Sequence, residues 1–98
     1  MIKGVGKRIK ELRLERDLSM DMIVADMNQK YLIELDKPIN KSMLSRWEND
    51  KVNPSMQSAK CLCDYFGVSL DYLIGLTDKR TPVHLLAYHK ALIKEVKK

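Results

Sequence analysis

One stretch of eleven residues carries side chains suited to contacting a nucleic acid. In "NKSMLSRWEND", residues 40–50, a helical spacing of ~100° per residue places Leu44 and Trp47 on one side, with Met43 beside them. The opposite side has no acidic and no large apolar residue, and its members are Lys41, Ser42, Ser45, Arg46 and Asn49. Their guanidinium, ammonium, hydroxyl and amide groups can pair with base edges and phosphate oxygens. A solvated helix face has the same composition, so this pattern alone leaves both interpretations open.

The elements that must position this face are all helical. Apolar residues recur at helical spacing, and no run alternates as a strand would. Residues that favour a helix N-cap precede four of the runs: Ser19, Asn40, Ser55 and Ser69. Gly67 stands where a left-handed residue would end the fourth helix. The sequence predicts an all-α fold of five helices, with an extra C-terminal helix that starts at Thr81 and Pro82.

The segment between the second and third helices is unusually long. Tyr31 and Leu35 continue the apolar stripe of helix two by i, i+4 steps past Asn28. We therefore expect an extended helix two that runs on for one or two turns. Pro38 would end it, because the residue before a proline is pushed out of the α region.

Charge and composition limit the class of protein. The 98 residues carry a net charge of +5, and because residues 1–78 hold 12 basic and 12 acidic side chains, the surplus lies in residues 79–98. Basic ends on a neutral body suit an anionic partner. No apolar run is long enough to span a membrane and no signal peptide is recognisable, so we expect a cytoplasmic protein. The predicted organisation is one domain over residues 1–77 and a linker with a basic amphipathic helix over residues 78–98.

Arrangements typical of catalysis or metal binding are missing from the sequence. Cys61 and Cys63 would point ~200° apart on a helix, and His84 and His89 do not share a helix face either. A zinc site needs four converging ligands. No Ser/His/Asp set or Gly-rich phosphate loop occurs, so we expect no enzyme activity, no metal and no cofactor.

Two runs of the sequence resemble a known family. "SMLSRWEN", following a capped helix and a turn, and "FGVSLDYLIG" are similar to the phage-repressor group of helix-turn-helix domains, the lambda-repressor/Cro or Xre type. The resemblance covers about residues 4–77 and implies a lambda-repressor-like fold with helix three in the major groove. It implies a sequence-specific transcriptional regulator of phage or bacterial type, expected to repress. Such a protein would bind a near-palindromic operator in double-stranded DNA as a homodimer.

The resemblance also assigns roles to single residues. Lys41, Ser42 and Arg46 match the base-reading positions. The positions that flank them or contact the DNA backbone are Ser19, Met20, Asn40, Ser45, Asn49, Lys51 and Asn53. Glu48 matches an acid that forms a structural ion pair with Arg13 of helix one.

The chain departs from the family pattern in three places. Met20 stands where Gln often anchors a phosphate, and the neighbouring Asp21 is unfavourable for phosphate binding. Asp50 stands where family members usually have Gly in a left-handed turn. About ten extra residues separate Asn28 from Ile39, where the turn is usually tight.

The C-terminal segment leaves several roles open. Its apolar residues at helical spacing need burial: Leu85, Leu86, Leu92, Ile93 and Val96. Self-association is the interpretation that we favour, and the alternatives are a basic arm on DNA or packing on the same domain. A different function class is a protein-interaction module or antitoxin-like regulator, in which this helix or the helix 2–3 region binds a partner protein.

Overall fold

The computed structural model describes residues 4–81, which fold into helices joined by loops. The elements are α1 (Val5–Glu15), α2 (Met20–Lys30), α3 (Lys41–Glu48), α4 (Met56–Phe66) and α5 (Leu70–Leu73). This part of the chain has no strand, so the predicted all-α class with five helices is confirmed. None of its helices is long and apolar enough to cross a bilayer. The expected C-terminal helix, with Leu85, Leu86, Leu92, Ile93 and Val96, lies outside the described residues.

Local side chains explain where the helices begin. The four predicted caps each accept a hydrogen bond from the backbone N–H three residues further on, at 2.8–3.1 Å: Ser19, Asn40, Ser55 and Ser69. These bonds satisfy N–H groups that have no partner inside the helix.

Left-handed residues explain where the helices end. Gly67 ends α4 with a φ of 67°, as predicted. Asp17 and Asp50 adopt the same conformation after α1 and α3, with φ values of 54° and 55°. In all three cases the next N–H bonds back to a carbonyl five residues earlier, which closes the last turn.

A single apolar core joins the five helices. Its six largest fully buried side chains come from every helix: Ile9, Ile23, Met27, Leu44, Leu62 and Leu73. Burial of each side chain contributes about 1.5–3 kcal/mol relative to exposure. The inner face of α3 packs against α1 and α2, so these two helices fix its position.

The connection between α2 and α3 corrects one prediction. Regular helix ends at Lys30, so the expected extension of helix two by one or two turns is wrong. Tyr31 has left the helical region at φ −111° and ψ 39°, and a single i, i+4 bond from the N–H of Leu35 to the carbonyl of Tyr31 follows. The buried side chains of Tyr31, Leu35 and Ile39 serve a folded loop instead.

Asn28 closes this loop at its base. Its Nδ2 donates to the carbonyl of Ile39, and its Oδ1 accepts from the N–H of the same residue, both at 2.8 Å. The two bonds join residues that are eleven positions apart in the sequence. The chain can make them only if it turns away from the axis of α2 soon after Asn28. The extra residues therefore form a loop that returns to the end of α2, with Tyr31 and Leu35 buried and residues between them exposed.

Residues 77–80 return to the body through what we call the arginine clasp, formed by Arg8, Tyr72, Asp78 and Arg80. Arg8 donates to the carbonyls of Tyr72 and Thr77 at 2.7 Å and to Asp78 at 2.9 Å. The guanidinium groups of Arg8 and Arg80 both lie over the Tyr72 ring, with their Cζ atoms 4.1 Å and 5.2 Å from its centroid.

Arg80 completes the clasp. Its guanidinium binds both carboxylate oxygens of Glu15 at 2.7 and 2.6 Å, and its carbonyl accepts from the N–H of Ser69 at 2.7 Å. The contact with Arg80 lowers the pKa of the exposed Glu15 carboxyl. The chain is thus fixed to α1 and α5 up to residue 80.

Candidate nucleic-acid interface

The two faces of α3 separate as the helical spacing predicts. Leu44 and Trp47 are buried, at 0% and 4% exposure, and Glu48 joins them at 7%. On the opposite side Ser45 is half-buried, and four side chains are exposed: Lys41, Ser42, Arg46 and Asn49. We call this set of five residues the polar face of α3. It offers groups that can donate to and accept from base edges, and no bulky apolar group obstructs them.

An ion pair anchors α3 to α1. Arg13 Nε donates to one carboxylate oxygen of Glu48 at 2.7 Å, and Arg13 Nη2 donates to the other at 2.9 Å. The side chains are only 10% and 2% exposed, and Arg13 Nη1 also donates to the carbonyl of Leu18 at 2.9 Å. The hydrogen bonds to Glu48 raise the pKa of Arg13 despite its burial. The structure therefore brings together the two residues that the resemblance pairs, in a geometry that fixes the rotation of α3.

Asp50 makes a second tie between these helices. Its Oδ1 accepts from the N–H of Gly6 at 3.1 Å, in the first turn of α1. Gly4, the N-cap of α1, supplies no side chain for that purpose. A Cβ on Gly6 would overlap the backbone oxygen of Trp47, so the backbones meet with no room for a side chain. Asp50 departs from the family's glycine, and the cap it supplies to α1 gives that departure a physical reason.

Several residues at the flanking positions are already engaged. The Asn40 side chain caps α3, and Asn49 Nδ2 donates to the carbonyl of Ser45 at 2.8 Å. Met20 is half-buried against the core. Ser19 is exposed, but its hydroxyl caps α2. Lys51 and Asn53, in the loop between α3 and α4, are exposed.

Charges around the polar face are mixed. Lys41, Arg46 and Lys51 supply three exposed cations. Asp21, in the first turn of α2, lies with its Oδ2 3.8 Å from the Nζ of Lys41, and both side chains are mostly exposed. The three cations suit contacts with an anionic partner, and Asp21 places a carboxylate beside one of them.

The cysteines belong to the core. Cys61 and Cys63 are both buried, and burial raises the pKa of the Cys63 thiol to about 11. Between residues 4 and 81 no three His, Cys, Asp or Glu side chains come together as a metal site would require.

Neither the arginine clasp nor the pair of bonds between Asn28 and Ile39 has a recognisable pattern in the sequence. The partners of Arg8 lie 64 to 70 residues away, and side chains so distant in sequence have no local pattern. Asp21 and Asp50 are recognisable in the sequence as unusual residues, but their partners Lys41 and Gly6 are not.

Comparison with known proteins agrees with this geometry. A family model described as a helix-turn-helix domain matches residues 6–79. The HTH-type transcriptional activator BcrR of Enterococcus faecalis is 26% identical over 70 residues, which cover 71% of this chain and 29% of that protein. The match therefore spans less than a third of the relative. No solved structure gives a significant match. The chain belongs to the helix-turn-helix domain family.

Proposed function

We propose that this protein is a transcription regulator that binds double-stranded DNA through the polar face of α3. The observation that carries the proposal is the rigid presentation of that face. The inner side of α3 is buried, and Glu48 is hydrogen-bonded to Arg13. The backbone at the C-terminal end of α3 packs directly against Gly6 of α1. A recognition element must be held within fractions of an ångström for base readout, and these three contacts supply that rigidity.

Within this proposal the residues divide by task. Lys41, Ser42 and Arg46 would contact base edges, since they are exposed along one side of α3. Lys51 and Asn53 would contact the sugar-phosphate backbone from the loop that follows. Phosphate contacts position the protein, and base contacts give it sequence preference.

Two further parts of the proposal come from the resemblance. A homodimer would read two half-sites of a near-palindromic operator about one helical turn apart. The apolar residues of the C-terminal helix predicted for residues 81–98 would join the copies. We propose repression by occlusion of a promoter. The relative BcrR is named an activator. Expression from a promoter–reporter fusion, measured with and without the protein, would distinguish repression from activation.

Selection of bound sequences from a random DNA pool would define the operator, and variants would then test the reading face. Arg46→Ala should weaken operator binding by ~1–3 kcal/mol and relax the preference at one base pair. Lys60→Ala, an exposed cation on α4, is the matched control and should change neither. Equal loss of operator and random-DNA binding in Arg46→Ala would contradict a base-reading role.

Lys51→Ala should behave differently, because a phosphate contact carries no sequence information. We expect it to weaken all DNA alike and to reduce the slope of log K against log salt by about one. A gel-shift series at low and moderate salt measures both. Absence of DNA binding by the wild-type protein at every salt concentration would refute the proposed function.

The exposed loop between α2 and α3 favours a second candidate, a protein-binding role. Leu32 and Ile33 are 77% and 92% exposed next to each other. Adjacent large apolar side chains on a surface are typical of interaction sites. If the loop binds a partner protein, Leu32→Ser with Ile33→Ser should abolish that complex and leave operator binding intact. Loss of DNA binding in this variant would instead tie the loop to the DNA contact.

A further inference from the structure

Asp21 and Lys41 occupy the first turns of α2 and α3, at the edge of the polar face. The Nζ of Lys41 lies 3.8 Å from Oδ2 of Asp21, and the side chains are 62% and 77% exposed. Nothing in the fold requires this pair, since the core and the two ties to α1 already fix α3. A carboxylate beside a DNA-facing cation also opposes phosphate binding in general.

We propose that Asp21 is a specificity-determining residue that positions Lys41 for a base and keeps it from phosphates. The inference rests on the proposed function. At 3.8 Å the contact with Asp21 is an ion pair and not a hydrogen bond, so the N–H donors of the Lys41 ammonium group stay available. The guanine edge in the major groove presents two acceptors to them, O6 and N7. A guanine at the base pair under Lys41 is therefore the preferred contact.

Random DNA offers a different comparison. There the binding free energy comes mainly from contacts with phosphates. To reach a phosphate, Lys41 must move away from Asp21, and the carboxylate of Asp21 then faces the negative DNA backbone without a partner. In the operator complex Lys41 keeps its partner and gains the base. Asp21 thus weakens the non-specific complex more than the specific one, which raises the ratio between the two affinities.

Fluorescence anisotropy with the selected operator and a scrambled duplex, each over a range of salt, tests this in the full chain. Asp21→Asn should tighten binding to the scrambled duplex about fivefold and steepen its salt slope by about 0.9, one additional phosphate contact. Operator affinity should stay within about twofold, and the preference for guanine under Lys41 should relax. Asp71→Asn removes the same charge from α5, away from the polar face, and should leave the affinity ratio unchanged.

The pairing itself is tested in a Lys41→Met background. There Asp21→Asn should no longer change the ratio of operator to scrambled-duplex affinity. Equal tightening on both duplexes in the Lys41-containing protein would overturn the inference, because it would show only general repulsion. An unchanged scrambled-duplex affinity would overturn it as well. Wild-type protein that binds no DNA would refute the proposed function itself, a result distinct from either.

Discussion

Replacing Glu48 with Gln removes one charge from the buried pair with Arg13 and changes the side-chain volume very little. The partners are 2% and 10% exposed and share two hydrogen bonds of 2.7 and 2.9 Å. Breaking such a pair costs ~3–5 kcal/mol, because the remaining charge stays buried without compensation. A domain of about 80 residues has a stability of roughly 4–12 kcal/mol, so the variant should lose at least a quarter of it.

Urea unfolding followed by Trp47 fluorescence is a direct assay, since this is the single tryptophan and it lies buried beside Glu48. In a thermal scan with the same fluorescence signal, the melting temperature should fall by roughly 12 °C or more, from ~4–8 °C per kcal/mol for a domain of this size. Glu11→Gln is the control, because Glu11 lies 4.0 Å from Lys7 on the surface and should lose at most ~0.5 kcal/mol. A Glu48→Gln loss no larger than that of the control would refute the reasoning.

Three further substitutions and one labelling reaction test the helix ends, the contact between α1 and α3, and the core. Asp17→Gly should stabilise the domain by up to ~1 kcal/mol, because glycine adopts the left-handed conformation without strain. Asp50→Gly should give no such gain, because it also removes the hydrogen bond to the N–H of Gly6. Urea titrations of the two variants measure the difference in free energy of unfolding. Gly6→Ala should cost ~1–3 kcal/mol and weaken DNA binding through displacement of α3, and wild-type values for both would contradict the close approach. With a pKa of about 11, the Cys63 thiol should stay protonated at pH 8 and react with thiol reagents only after unfolding; fast labelling of the native protein would be inconsistent with its burial.

Residues whose role is local could be predicted from the sequence. Each N-cap, such as Asn40, depends on a bond to an N–H three residues away, and the buried pair Leu44 and Trp47 follows from helical spacing alone. Gly67 was recognisable because only a few residue types tolerate its conformation. These features need no knowledge of distant partners.

The end of α2 could not be predicted, for a definite physical reason. Tyr31 and Leu35 keep helical spacing and are buried, so the apolar pattern is correct, yet the backbone leaves the helix at Tyr31. The cause is the pair of bonds between Asn28 and Ile39, which belongs to tertiary structure. Helical spacing of apolar residues records burial and does not prove continuous helix.

The candidate site was predictable in its members and not in its interactions. The polar face follows from the sequence of α3, and the Arg13–Glu48 pair follows from the resemblance. The position of Asp21 against Lys41 and the cap that Asp50 supplies to α1 depend on how separate helices meet. The roles of single residues in DNA binding, and the domain boundary after residue 77, stay predictions.

The arginine clasp determines how any attached segment would act on a second copy. Because Arg80 is bound to Glu15 and Ser69, a tether to another domain could start only after residue 80, from a fixed point on α1 and α5. A shorter free tether raises the effective concentration of the second domain and narrows the distances it can span. Two copies joined in this way would tolerate few spacings between half-sites, since each inserted base pair adds about 3.4 Å and roughly 35° of rotation. Arg80→Ala would remove the bonds to Glu15, and Arg8→Ala would in addition release Thr77 and Asp78; both changes should broaden that tolerance.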